Sequence, residues 1–378
     1  MSFEALKRMY DQNEFHELVN HRDGVYFLKL RSMNRAPYMR GVASRAGIDV
    51  SEIHGRHLLR HLFEHRIDED LVEAFVQEIY EEERAQRRAK EPNLISELYK
   101  MQVFDWGGLY QNALERTIAN RYVKKTVSYD RLCEVIEGEL HRSLRGYVLC
   151  SWYNNWTSII IEDLFRDSGH VLPTIGLAKR VDFFIDDVPF DLKVTYFPDG
   201  YMQNLRLSKE WPSEWQMLSR TARHLNIDYD RDQPRREQFR EVFSRLKEHP
   251  AAEARECTQL LMSQRAQLIT ETLDSPRDLV VWLYENQGTR RFDAANRLYL
   301  VLIDLDDLEE SWKLKRNRAL LEKHVEPYLE RLDLSQADTL QVEFEWNDEA
   351  YSSYADLLFI LTSESEGDFA VSLSDREP

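Results

Sequence analysis

Between residues 180 and 196 the pattern of this chain turns from helical to strand-like, and no other stretch limits the fold as much. Arg180–Ile185 (RVDFFI) and Phe190–Tyr196 (FDLKVTY) read as two short strands. They are joined by Asp186-Asp187-Val188-Pro189, whose residue types suit a tight turn better than a metal site. Residues two apart on a strand share a face, so Asp191, Lys193 and Thr195 project to one side and Phe190, Leu192, Val194 and Tyr196 to the other. The position of Asp182 depends on register. A two-residue loop (Asp187-Val188) or a four-residue loop (Asp186 to Pro189) sets Asp182 opposite Lys193 and gathers the three charged side chains on one face. An odd loop sends Asp182 to the other.

The flanks supply the architecture. Residues up to about 92 are mostly helical, ending in Asp68–Lys90, whose Leu71, Phe75, Ile79 and Tyr80 share a face before Glu91-Pro92-Asn93 breaks the pattern. A second helical block spans about 107–167, and a third spans 203–275 with a polar interruption at Asp228–Pro234. Strand patterns return at Asp278–Glu285, Leu298–Ile303, Leu340–Trp346 and Ala355–Leu361, with a helix near 307–332. The expected class is α+β, or α/β with an interrupted sheet. Its expected division is a helical region at 1–105 and a sheet-bearing domain at 106–378 that carries a helical insertion at about 203–275.

Two acids and an amine on one strand pair point to phosphodiester chemistry. Hydrolysis requires a water to become a nucleophile near neutral pH while charge builds on phosphate oxygens, and a hard divalent cation serves both needs. Asp182, Asp191 and the Leu192 carbonyl are the oxygen ligands that Mg²⁺ prefers, with Mn²⁺ as a substitute. Lys193, two residues from a ligand, can position water and offset phosphate charge. The string Val181-Asp182 … Phe190-Asp191-Leu192-Lys193 resembles the PD-(D/E)xK signature of the restriction-endonuclease-like nucleases, with Val181 in place of its Pro. The resemblance covers roughly residues 147–305. It implies a core of a helix, a hairpin, a third strand, a helix and another strand, with a helical Glu completing the metal site. Glu162, in Trp152–Arg166, is the residue that fits. The implied activity is Mg²⁺-dependent cleavage of DNA, as an endonuclease in prokaryotic restriction or antiphage defence.

Plainer descriptions exist for the same residues. Asp182 and Lys193 also make a cross-strand ion pair on a wet sheet face, and Glu162 beside Asp163 also suits an exposed helix. The metal cluster is preferred because charged residues are depleted from strands. Of the other features, Val42–Ile53 has helix-turn-helix spacing within 38–63, although Arg56 and Gly55 fit that motif poorly. Residues 21–66 carry nine Lys or Arg against four Asp or Glu, which makes Arg45, Arg56 and Arg60 the candidates for DNA contact outside the cleft. His57, His61 and His65 form a row better suited to a solvated or phosphate-facing stripe than to zinc, because Arg56 and Arg60 repel a cation. Trp152, Trp156, Trp211 and Trp215 read as packing residues.

Composition closes other routes. Three distant cysteines exclude a disulfide framework and thiolate metal sites. Neither a secretory leader nor a membrane-length apolar run is evident, so the expectation is a cytoplasmic protein with no membrane association. A formal charge of −17 works against phosphate affinity, so DNA binding calls for a concentrated basic cleft in a homodimer or for a larger complex. The same acidity suits the alternative, a catalytically inactive restriction-like fold that serves as a protein-binding scaffold.

Overall fold

The computed structural model describes residues 1–105, 118–176, 180–233, 235–289, 292–334 and 339–375. The start of the helical block expected from about 107 lies outside them. The chain forms two compact units, one of residues 1–96, 158–197 and 272–378, the other of residues 97–157 and 198–271. Its class is α+β, with a mixed open seven-stranded sheet in the first unit.

Six helices open the first unit: α1 (Phe3–Asp11), α2 (Phe15–Val19), α3 (Arg22–Ser32), α4 (Ala36–Arg45), α5 (Leu58–His65) and α6 (Glu69–Tyr99). They do not stand apart as a separate N-terminal domain. Leu6, Phe27, Leu30, Val42, Leu62 and Val72 bury themselves in one core with Ile175, Val181, Phe184 and Ala295. This apolar contact overrides the boundary expected near 105. Helix α6 also passes through Pro92, where a break was expected. Proline interrupts a helix by removing one hydrogen bond and crowding a carbonyl. Here the preceding Glu91 is buried and ion-paired at 2.7 Å to both Arg84 and Arg318, which holds the chain in register past the proline.

The helix α7 (Tyr129–Val135) precedes α8 (His141–Arg166), and the sheet follows. Strands β1 (Val171–Pro173), β2 (Phe183–Ile185) and β3 (Val188–Tyr196) form an antiparallel meander. Four helices then intervene: α9 (Asp199–Ser208), α10 (Glu214–His224), α11 (Arg235–Glu248) and α12 (Ala252–Asp274). Helix α13 (Pro276–Glu285) returns the chain to β4 (Arg297–Asp304), which lies parallel to β3. After α14 (Arg318–Arg331), β5 (Gln341–Trp346) and β6 (Glu349–Ser363) pair antiparallel, β6 joins β4 in parallel, and β7 (Gly367–Ser372) pairs with β6. Strands β1 and β7 were not visible as sequence patterns.

Residues 278–285, expected as a strand, are the helix α13. A short apolar run cannot be assigned by composition, and the deciding signal is Ser275-Pro276, a proline in the first helical turn that leaves Leu279, Val280 and Tyr284 on the buried face. Strand β4 is buried over nearly its whole length, as a central parallel strand must be. Its Leu298, Leu300 and Leu302 pack with Phe190 and Leu192 of β3, Ile161 and Phe165 of α8, and Leu321 and Val325 of α14. The apolar face of β3 is therefore the expected one.

The second unit is helical. Leu218 and Ala222 of α10, Val242 and Leu246 of α11, and Ala254 and Leu261 of α12 form its core. Ser213 and Gln216 close a capping box at the start of α10, and Trp215 packs against the core. The segment 203–275 thus belongs mostly to a unit shared with residues 97–157, and is not an insertion standing within one domain.

Candidate active site

The hairpin fixes which charges meet. Asp186 and Asp187 both have positive φ, 46° and 68°, as a two-residue mirror-image turn requires. Ile185 consequently pairs with Val188 and Phe183 with Phe190. Just before β2 the Asp182 N–H also donates to the Phe190 carbonyl at 2.7 Å and its carboxylate accepts from the Leu192 N–H at 2.8 Å, which brings Asp182 beside Asp191. The expected register, with Asp182 opposite Lys193, is displaced by two residues because the loop is Asp186-Asp187. A shift of two conserves the face, so Asp182, Asp191 and Lys193 still project together. Lys29, buried beneath the turn, bonds Glu73 at 2.6 Å and also Asp187, so Asp187 has a structural anchor.

Each carboxylate meets a cation. Lys193 Nζ lies 2.6 and 2.5 Å from the two oxygens of Asp191. Parallel pairing of β3 with β4 brings Arg297 beside Asp191, with Nε 3.4 Å from Oδ2. Arg297 is itself held by Asp293 at 2.8 Å, and its side chain is 4% exposed. Glu162 projects from α8 one turn before Arg166, whose Nη2 lies 3.0 Å from Glu162 Oε2 and 3.9 Å from Asp182 Oδ1. Asp182 Oδ2 accepts from the Leu192 N–H at 2.8 Å, which aims the carboxylate across the hairpin. The cluster opens outward through Lys193, whose side chain is 46% exposed.

Burial raises the pKa of all three acids, and their mutual repulsion adds to it. Glu162 is raised by burial and by the charges of Asp163 and Asp191, with Arg166 and Lys193 opposing. Asp182 is raised by burial and by Glu162, and Asp191 by burial and by Asp182. A carboxyl raised on folding contributes stability below the ordinary carboxylate range and loses it as pH rises through the folded value. The metal-free cluster therefore weighs increasingly against folding from about pH 4 upward. A divalent cation that binds it should stabilise the protein more at pH 8 than at pH 5. The expected rise in melting temperature is roughly a few degrees at saturating Mg²⁺. An equal rise at both pH values, measured by calorimetry, would show that the ion binds elsewhere.

Three carboxylates and no nitrogen or sulfur ligand form a donor set suited to a hard cation. Among the described residues, however, no group of three or more His, Cys, Asp or Glu side chains stands ready to hold a metal. The physical reason is that ammonium and guanidinium groups already occupy the positions where a cation is wanted. Lys193 can swing outward, whereas Arg166, 14% exposed, is tied by Nε to the Asp182 carbonyl at 3.2 Å.

Arg166 and Arg297 did not emerge from the sequence. Arg166 was legible in principle, since Glu162 and Arg166 are four residues apart on a helix. Arg297 was not, because only the β3–β4 register brings it to Asp191.

The outlying candidates lie on the N-terminal helices. Residues 46–57 separate α4 from α5, far more than a helix-turn-helix turn, and Gly55–His57 is a short 3₁₀ turn. The helix-turn-helix that the spacing allowed at 38–63 is not formed, and an ordinary pair of helices stands there. Arg45 makes a bidentate pair with Glu78, Arg56 bonds the His57 ring at 3.0 Å, and Arg60 pairs with Glu4. The His61 and His65 rings lie 4.0 Å apart and tilted at 41°, and His57 lies instead 6.4 Å from His54. No helix among the described residues is long and apolar enough to cross a membrane. No protein-family model, curated protein or solved structure matches the chain.

Proposed function

We propose that this protein is a metal-dependent nuclease that hydrolyses phosphodiester bonds in DNA, with Glu162, Asp182 and Asp191 as ligands for Mg²⁺ or Mn²⁺ and Lys193 beside the reacting phosphate. The observation that carries the proposal is the union of Asp182, Asp191 and Lys193 on one face of a hairpin, with Glu162 adjoining. The order of elements adds support. Helix α8, the β1–β2–β3 meander and the parallel β4 follow the succession that the PD-(D/E)xK resemblance implies, with the five helices α9–α13 between β3 and β4 where one is implied.

The chain's own groups divide the work. When bound, the cation supplies an acidified water and neutralises phosphate charge. Asp191, Asp182 and Glu162 would hold it, with Asp182 aimed by the Leu192 N–H. Lys193, if released from Asp191, would donate to the attacking water and offset phosphate charge. Arg297 opposes the rise that burial imposes on Asp191 and holds its carboxylate in place.

Restriction or antiphage defence is the setting that the resemblance suggests, and cytoplasmic action on DNA follows from it. The second unit carries 20 Lys and Arg against 19 Asp and Glu, so the first unit, with the site, carries 30 against 48, a net charge of −18. We therefore place DNA affinity in a homodimer or larger complex, supplemented by Arg45, Arg56 and Arg60. Replacing these three by alanine should flatten the salt dependence of DNA binding by up to about three units of log–log slope, read by anisotropy. An unchanged slope removes them from the interface.

The ion-paired state of the carboxylates favours a second reading, a catalytically idle fold that binds a protein partner. Incubation of supercoiled DNA with the protein and Mg²⁺ or Mn²⁺ separates the two. Nicking that is lost in Asp191→Asn supports the nuclease, and intact DNA under every metal condition supports the scaffold.

A further inference from the structure

The second unit exposes an apolar helix face. Helix α7, a π turn at Ile136–Leu140 and α8 follow one another without a break. Over residues 132–152 of this continuous helix every fourth residue is apolar: Leu132, Ile136, Leu140, Leu144, Val148 and Trp152. Residues so spaced form a ridge, the surface through which helices pack on one another. In an α-helix the ridge drifts about 40° around the axis at each step, and the wider π turn draws it back. Such a ridge belongs in a packed contact, yet Ile136 is 46% exposed, Leu144 44% and Val148 54%. A run of apolar side chains left in water marks an interaction surface.

Charge selects the occupant. In the row beside the ridge, Glu137 and Arg145 stand four residues to either side of His141, and both are exposed. Further acids, Asp130 and Glu134, lie on the amino-terminal side of that midpoint, and Arg142 lies on the other. A second copy laid antiparallel reverses the order. It sets Ile136 against Val148 and Leu140 against Leu144, and it brings Glu137 of each copy to Arg145 of the other. A two-fold interface has to be self-complementary in this way. The second unit is also close to neutral, so two copies meet through it without the repulsion that contact between the acidic first units would bring.

We propose that this chain forms a homodimer whose two copies pack antiparallel along residues 132–152. The inference gives the homodimer invoked above an interface. It depends on nothing in the hairpin cluster, so it and the nuclease reading stand or fall separately.

The test is sedimentation of the full chain over a dilution series. The wild type should sediment at twice the chain mass of 45.0 kDa. Leu144→Glu combined with Val148→Glu puts charge into the apolar contact and should raise the dissociation constant at least about 100-fold. Both side chains are about half exposed, so the melting temperature should hardly move. Glu137→Arg and Arg145→Glu should each weaken the dimer about tenfold, because each sets like charges against one another. Eight residues, about 12 Å of helix, keep the two from pairing within one chain. An equimolar mixture of these two single variants should therefore regain the wild-type affinity, since every pair across the interface is again of opposite sign. A wild type that stays monomeric up to about 100 µM overturns the proposal and leaves the face to a different protein. So does a dimer that survives the paired glutamates, or a mixture that fails to recover.

Discussion

Replacing Arg84 by alanine is expected to cost about 3–5 kcal/mol of unfolding free energy in the first unit, the largest stability effect of any single polar substitution in this protein. The Arg84 side chain is 4% exposed. Its nitrogens reach Glu91 at 2.7 Å, Asp167 at 2.9 Å and Asp163 at 3.5 Å. Arg87 adds a bidentate pair to Asp163 at 2.8 Å, and Tyr80 donates to Asp167 at 2.9 Å. Burial works to raise the Asp167 carboxyl, yet hydrogen bonds from Arg84 and Tyr80 hold it below its ordinary range. Its contribution is present above that range and is lost as pH falls through the folded value. Alanine would leave Glu91 with Arg318, Asp163 with Arg87 and Asp167 with Arg88, and would remove the buried guanidinium that joins all three carboxylates. Denaturant unfolding of Arg84→Ala at pH 7 should show this loss, and the deficit should shrink as the pH is lowered and the acids take up protons. A variant within about 1 kcal/mol of the wild type would mean that the network contributes no more than an exposed pair.

The same network governs the candidate site. Asp163 joins it from α8, and the neighbouring Glu162 points instead to the carboxylate cluster. Two adjacent acids on one helix thus serve different ends, and the grip of Arg84 and Arg87 on Asp163 sets the rotation that aims Glu162. Sequence pattern could not separate them, because adjacent helical residues differ by about 100° and neither direction is marked apolar.

What was legible follows from short-range rules. The alternation in FDLKVTY assigned the faces of β3, and parity kept Asp182 with Asp191 and Lys193 even though the turn was misplaced by one residue. The apolar run at β4 was readable because a strand buried on both faces leaves no polar positions. What failed depends on distant contacts. The N-terminal helices share a core with residues 175–184, the helix through Pro92 relies on buried ion pairs, and Arg297 reaches Asp191 only across the sheet. None of these has a local signal.

Lys193→Ala should lower the rate of DNA cleavage by about 100- to 1,000-fold while leaving stability within about 1 kcal/mol of the wild type. The two effects separate because Lys193 is half exposed and its partner Asp191 keeps Arg297 as a neighbour. Asp191→Asn should abolish cleavage at least as fully, for a different reason. It removes a proposed cation ligand, and it leaves Arg297 buried beside a neutral amide, so the fold should weaken as well. Metal binding distinguishes the two roles. Lys193 occupies both oxygens of Asp191, so its removal frees them, and Lys193→Ala should bind Mg²⁺ at least as tightly as the wild type while cutting far more slowly. Asp191→Asn should lose Mg²⁺-dependent thermal stabilisation altogether. Cleavage at the wild-type rate by either variant would dissociate the hairpin from catalysis. Tight Mg²⁺ binding with lost cleavage in Lys193→Ala would place that ammonium with the water and the phosphate, because a lysine serving only to fold the hairpin could not weaken the chemistry while strengthening the grip on the ion.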